Sequence, residues 1–103
     1  MAAMNPPKNA QALTFYIGLR SATDANSLQN NPTIAAGDFK VSKDGGALAN
    51  LTTLPAVTPA SSAMVKIALS ATEMTADNVT IVWIDQTATK EWSDGLINIV
   101  TTA

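Results

Sequence analysis

The side chains able to do chemistry in this 103-residue chain are eight carboxylates and six cations, with no histidine and no cysteine. That inventory rules out disulfides, thiolate–metal sites and every nucleophile–base pair built on Cys or His. Ser61, Ser62 and Ser70 have no imidazole to activate them, and no Gly-rich phosphate cradle precedes a helix. The carboxylates remain. Asp38 and Asp44 sit near one turn, and Asp85, Glu91 and Asp94 fall along one connection. Glycoside hydrolysis needs two carboxyls at defined separations around a cleft, which a small chain with short loops does not offer. Oxygen ligands from Asp85, Glu91 and Asp94 suit Ca²⁺ chemically, but their spacing matches no compact calcium loop. They read as solvated loop acids. Asn50-Leu51-Thr52 and Asn78-Val79-Thr80 fit the glycosylation triplet, a pattern common by chance. The expectation is a non-enzymatic chain with no metal and no cofactor.

The charge pattern concerns partners. The net charge is −2, the sequence pI is near 4.7 and only 14% of residues are charged. Six scattered cations make no phosphate-tracking stripe, so nucleic acid is not an expected ligand. No run of 18 or more apolar residues spans a bilayer, and the first residues lack a secretion signal's basic and apolar regions. With 18 alanines and 13 threonines, the exterior is blander than a monomer's surface usually is. That composition suits contact with other protein.

These residues must be positioned by strands. Leu13, Phe15, Ile17 and Leu19 alternate with Thr14, Tyr16, Gly18 and Arg20, the period of two of a half-buried strand. Ser21 to Gly37 reads as a long polar loop, mobile or used in contacts, attached to the core through Leu28 and Ile34. Phe39 and Val41 resume the alternation. Asp44-Gly45 supplies a tight hairpin turn, and Ala47 to Leu51 returns. Pro55 and Pro59 bound a connection where uninterrupted sheet is not expected. Val65, Ile67 and Leu69 form the next buried face.

Ser70-Ala71-Thr72-Glu73 is a capping box with Leu69 and Met74 as its hydrophobic staple, predicting one short helical turn near residues 70–77. Glu73 is therefore structural. In Val79 to Asp85, Val79, Ile81 and Trp83 make one face, yet Val82 and Ile84 make the other face apolar too. A sandwich strand needs only one such face, so the second is expected to meet another subunit or to be covered by a loop or the arm. Ile97 and Ile99 share a side of the last strand, Leu96 to Thr101. Trp83 is the expected core centre; Trp92, in a polar connection, is expected to close one end or to sit at a contact.

Short strands joined by hairpins and loops, with no helical periodicity, define an all-β antiparallel sandwich. Its length supports one domain, residues 12–103, preceded by an extended arm over 1–11. Pro6 and Pro7 keep that arm extended, either loose or lying on a neighbouring subunit. The expected assembly contacts are Pro6, Pro7, Tyr16, Val82, Ile84 and Trp92.

Three runs carry a resemblance: Thr33 to Ala47, Leu69 to Asp77, and Asp85 to Gly95 continuing through Ile99. In order and approximate spacing they resemble small immunoglobulin-like β-sandwich domains of tailed-bacteriophage virion structural proteins. The resemblance implies an immunoglobulin-like fold, no catalytic residues, and major capsid or other virion proteins as partners in a symmetric assembly. The location it implies is the virion, with the host cytoplasm during assembly. Ala-Ser-Ser-Ala-Met at 60–64 departs from the Gly-rich turn of related sequences. Many relatives are the front part of longer proteins, whereas this sequence stops after its last strand, which disfavours a receptor-binding fibre. Capsid decoration is the first expectation; a neck or tail accessory protein, or a host-surface binding module presenting Ser21 to Gly37, is the alternative.

Overall fold

The computed structural model describes residues 7–103. Pro6 and most of the expected arm lie outside the described residues. Seven strands follow one another: β1 (Leu13–Gly18), β2 (Phe39–Lys43), β3 (Ala49–Asn50), β4 (Ala56–Val57), β5 (Met64–Leu69), β6 (Asn78–Trp83) and β7 (Gly95–Val100). They form a three-stranded sheet ordered β1-β5-β4 and a four-stranded sheet ordered β3-β2-β6-β7, with every strand pairing antiparallel. With β1 as strand B, that order is B-E-D against C′-C-F-G, the immunoglobulin connectivity from its second strand onward. Residues 7–9 run parallel to the chain just beyond β7, with Lys8 bridging Thr102. The Thr102 N–H donates to the Pro7 carbonyl and the Asn9 N–H to the Thr102 carbonyl. The Pro7 carbonyl is thus bound to its own chain.

Alternation decides which faces meet. Val65, Ile67 and Leu69 of β5 and Val41, Val79 and Ile81 of β2 and β6 are all buried in one core, with Leu13, Phe15 and Ile17 packed against it. The capping box forms as its spacing predicts: the Glu73 N–H donates to Ser70 Oγ (3.1 Å) and the Ser70 N–H to Glu73 Oε1 (2.8 Å). The Met74 N–H closes a single turn on the Ser70 carbonyl at 3.1 Å. Both staple residues, Leu69 and Met74, are buried. The turn does not continue into a helix, and no helix forms among the described residues.

Asp44 and Gly45 have φ of 51° and 75°, the paired positive values of a two-residue hairpin turn closed by the Gly46 N–H on the Lys43 carbonyl. Such a turn sets Lys40 opposite Ala49, yet Lys40 pairs with Asn50 and Val41 with Ala49. One extra residue therefore bulges out between Gly46 and Leu48, shortening the return strand to Ala49–Asn50. Between its two prolines the next connection contributes a short strand after all, Ala56–Val57, paired to β5.

Trp83 is not the core centre that its apolar strand predicts; Trp92 is the more deeply buried tryptophan. Trp92 is fully buried, its ring 5.8 Å from that of Phe39 and its indole N–H donating to the Thr33 carbonyl (3.3 Å). Trp83 is only half-buried. It pairs with Gly95, whose missing side chain lets the indole lie over the β7 backbone. A Cβ at Gly95 would stand 2.5 Å from Trp83 Nε1.

Candidate interaction surfaces

The carboxylates are fasteners for backbone. Asp85, 3% exposed, accepts from the Thr87 N–H (3.0 Å), the Thr87 hydroxyl (2.7 Å) and the Glu91 N–H (2.7 Å). Burial pushes its carboxyl up. The hydrogen bonds from the Glu91 N–H, the Thr87 N–H and hydroxyl, and the Trp92 N–H outweigh that and hold it below its ordinary value of 3.8. Asp38, also buried, accepts from the Ala35 and Gln86 N–H groups. Glu73 adds the Thr52 N–H to its capping bond, and Asp44 accepts from the Asp77 and Asn78 N–H groups. Asp85 is therefore no solvated loop acid: it folds the connection that carries Trp92 inward. Glu91 turns away to take the Thr33 N–H at 2.7 Å, and Asp94 pairs with Lys90. No group of three or more acidic side chains converges as metal ligands among the described residues.

The loop from Ser21 to Gly37 is fastened by the same means. Its backbone bonds reach Leu19, Glu91 and Ser62, and Pro32 is buried. Ile34 packs on the core as expected. Leu28 does not; it is 52% exposed and covers Gly18, where a Cβ would stand 2.7 Å from its methyl group.

With the acids so engaged, the distinctive surface is the outer face of the four-stranded sheet. Lys40, Val82 and Leu96 stand in register across β2, β6 and β7, and Ile84 and Leu48 flank them. Leu96 is 62% exposed, Val100 63%, Leu48 49% and Ile84 37%. At the centre, Thr80 Oγ1 donates to Asn98 Oδ1 (2.7 Å) and Asn98 Nδ2 to Asn78 Oδ1 (3.1 Å). Lys40 is the single charge on these outward positions of β2, β6 and β7 among the described residues. The dimple between Lys40, Leu48, Val82 and Ile84 holds about 30 Å³, one water's worth. A shallow cleft of about 230 Å³ beside Phe39, Asn50 and Leu54 is smaller than usual ligand pockets of ~300–1,000 Å³. Neither recess reaches the volume of a usual small-molecule pocket.

The expected contact residues divide. Val82 and Ile84 share this face. Tyr16, 49% exposed, lies on the outer face of the other sheet in the row Tyr16–Lys66–Ala56. Pro7 is at the β7 edge. Trp92, wholly buried, has no surface to offer a partner; it belongs to the core. Leu96, Val100 and Leu48 were missed by sequence reasoning. The signal for Leu96 and Val100 was the alternation opposite Ile97 and Ile99. Comparison with family models, curated proteins and solved structures finds no match to the chain.

Proposed function

We propose that this chain is a non-enzymatic virion structural protein of a tailed bacteriophage, a capsid decoration protein bound to major capsid protein. The observation that carries the reading is the weakly charged, apolar outer face of the four-stranded sheet around Val82, Ile84 and Leu96. A decoration protein needs a pre-formed patch of this kind, because many identical weak contacts on a symmetric shell add up to tight retention. The sequence resemblance of Thr33 to Ala47, Leu69 to Asp77 and Asp85 to Ile99 supplies the phage context. The buried carboxylates Asp38, Glu73 and Asp85 are spent on backbone N–H groups.

Imaging of intact particles tests this directly. The expected result is hundreds of copies on the shell with Val82 and Ile84 against capsid protein, and loss of retention by V82K/I84D without loss of fold. A few to about a dozen copies at one vertex would make it a neck or tail ring protein. Absence from particles, or Val82 and Ile84 facing bulk solvent in them, overturns the reading.

A further inference from the structure

Residues 7–10 are fastened where β7 ends. The Thr102 N–H donates to the Pro7 carbonyl (2.8 Å), the Asn9 N–H to the Thr102 carbonyl (2.9 Å) and the Ala10 N–H to the Met74 carbonyl (3.1 Å). Asn9 Nδ2 adds a bond to the Ala76 carbonyl at 3.0 Å. Lys8 and Thr102 thereby form a parallel bridge. A straight continuation backward from Pro7 follows β7 from Val100 toward Gly95.

The edge along that line is open. The Thr101 N–H donates to the Asp77 carbonyl at 2.9 Å, and bonded and non-bonded pairs alternate in an antiparallel ladder. Leu96, Asn98 and Val100 therefore direct their N–H and C=O groups away from β6. Over its six residues β7 carries no charge, no proline and no bulge, the devices that normally block an edge strand. Leu96 and Val100 leave apolar side chains exposed beside it.

We infer that residues 1–6 of this chain are the cover of that edge, an added strand paired parallel to β7 and continuous with the Lys8–Thr102 bridge. Steps of two residues back from Lys8 set the register: Pro6 beside Val100, Met4 beside Asn98 and Ala2 beside Leu96. Pro7 and Asn9 aim their backbone groups at Thr102, while the Lys8 carbonyl turns away to the Gln11 N–H. Residues 3 and 5 share the phase of Pro7 and Asn9, and residues 2, 4 and 6 share that of Lys8. The Asn5 carbonyl then accepts from the Val100 N–H, and the Asn5 N–H donates to the Asn98 carbonyl. The Ala3 carbonyl accepts from the Asn98 N–H, and the Ala3 N–H donates to the Leu96 carbonyl.

The two prolines fit this register unequally. Pro6 has its missing donor on the solvent side, where an edge strand tolerates proline. Pro7 leaves the Val100 carbonyl without its bond, the one gap in the ladder. Each proline also biases the residue before it toward extended backbone. Ala2 and Pro6 come beside Leu96 and Val100 as apolar pairs on the outer face. At ~3.3 Å per residue the six residues reach ~20 Å, the length of β7. Because the segment is tethered at Pro7, its pairing is intramolecular and does not depend on protein concentration. The inference does not rest on the virion reading and holds or fails in purified protein.

Amide exchange and backbone NOEs in the full chain test it. NOEs are expected between Ala3–Asn5 and Ile97–Ile99. The Asn98 and Val100 N–H groups should exchange about tenfold or more slowly than free amides, equally at about 0.1 mM and about 1 mM protein. N5P removes a donor that faces β7 and should speed exchange at Asn98 and Val100 about fivefold. M4P removes a donor that faces solvent and should stay within about twofold of the parent. Ile97 and Ile99 remain protected in both variants, which reports an intact sandwich. Free exchange at Asn98 and Val100, equal effects of the two prolines, or protection that grows with concentration, as a second copy on the edge would produce, overturns the inference.

Discussion

Replacing Asp85 with asparagine isolates the contribution of one buried charge. The shape is kept, and the amide oxygen can still accept from Thr87. The amide nitrogen then faces the Glu91 N–H, which in the parent donates to carboxylate oxygen at 2.7 Å. A hydrogen bond to a charged group contributes about 1.5–3 kcal/mol, and the Thr87 bonds weaken when their acceptor loses its charge. The expected cost at pH 7 is about 2–3 kcal/mol. At about 4–8 °C per kcal/mol for a domain near this size, the melting midpoint should fall by roughly 10–20 °C.

The pH dependence has a definite sign. The folded pKa lies below the unfolded one near 3.8. The stabilisation is complete above that unfolded value and disappears as pH falls through the lower folded one. Parent and D85N should therefore differ fully at pH 7 and converge at acid pH. Thermal unfolding at pH 7, 5 and 3, followed by tryptophan fluorescence, measures both quantities, because the Asp85 connection delivers Trp92 to the core. A midpoint shift under about 3 °C at pH 7, or a gap that does not begin to narrow between pH 5 and pH 3, would refute the argument.

Two further changes probe the fold. Gly95→Ala places a Cβ 2.5 Å from Trp83 Nε1; urea unfolding should show a loss of about 1–3 kcal/mol, and the fluorescence of the displaced indole should shift to the red. Glu73→Ala strands the N–H groups of Ser70 and Thr52 and should cost about 2–3 kcal/mol, whereas Ser70→Ala should cost about 1 kcal/mol as an ordinary cap loss. Equal effects from the two would contradict the bond that Glu73 makes to Thr52.

What the sequence made legible were features set within a few residues. The alternation of Leu13 to Ile17 and of Val65 to Leu69, the capping box at Ser70 and the turn at Asp44-Gly45 all depend on neighbours close along the chain, and each appears in the fold. The misplacements share the opposite property. Trp83 sits in the most apolar stretch, yet its burial is limited by facing Gly95, which lies in another strand. Trp92 sits in polar surroundings, yet Asp85, seven residues before it, folds its connection onto the core. Leu28 pairs spatially with Gly18, and nothing local announces that. The bulge after Gly46 depends on where β3 meets β2 and not on the turn residues. In the candidate surface, Val82 and Ile84 were readable because both faces of one strand are apolar. Their separation from Tyr16 follows from the sheet to which each strand belongs, and alternation does not carry that information.

That separation sets the valency of the molecule. The body measures 41 × 38 × 21 Å, and the two sheets form the broad sides of the slab. Tyr16 points from one broad side and Val82 with Ile84 from the other, so a single flat neighbour cannot touch both. Whatever grips the two sides at once is kept one slab apart, with the sandwich acting as a washer of fixed gauge between them.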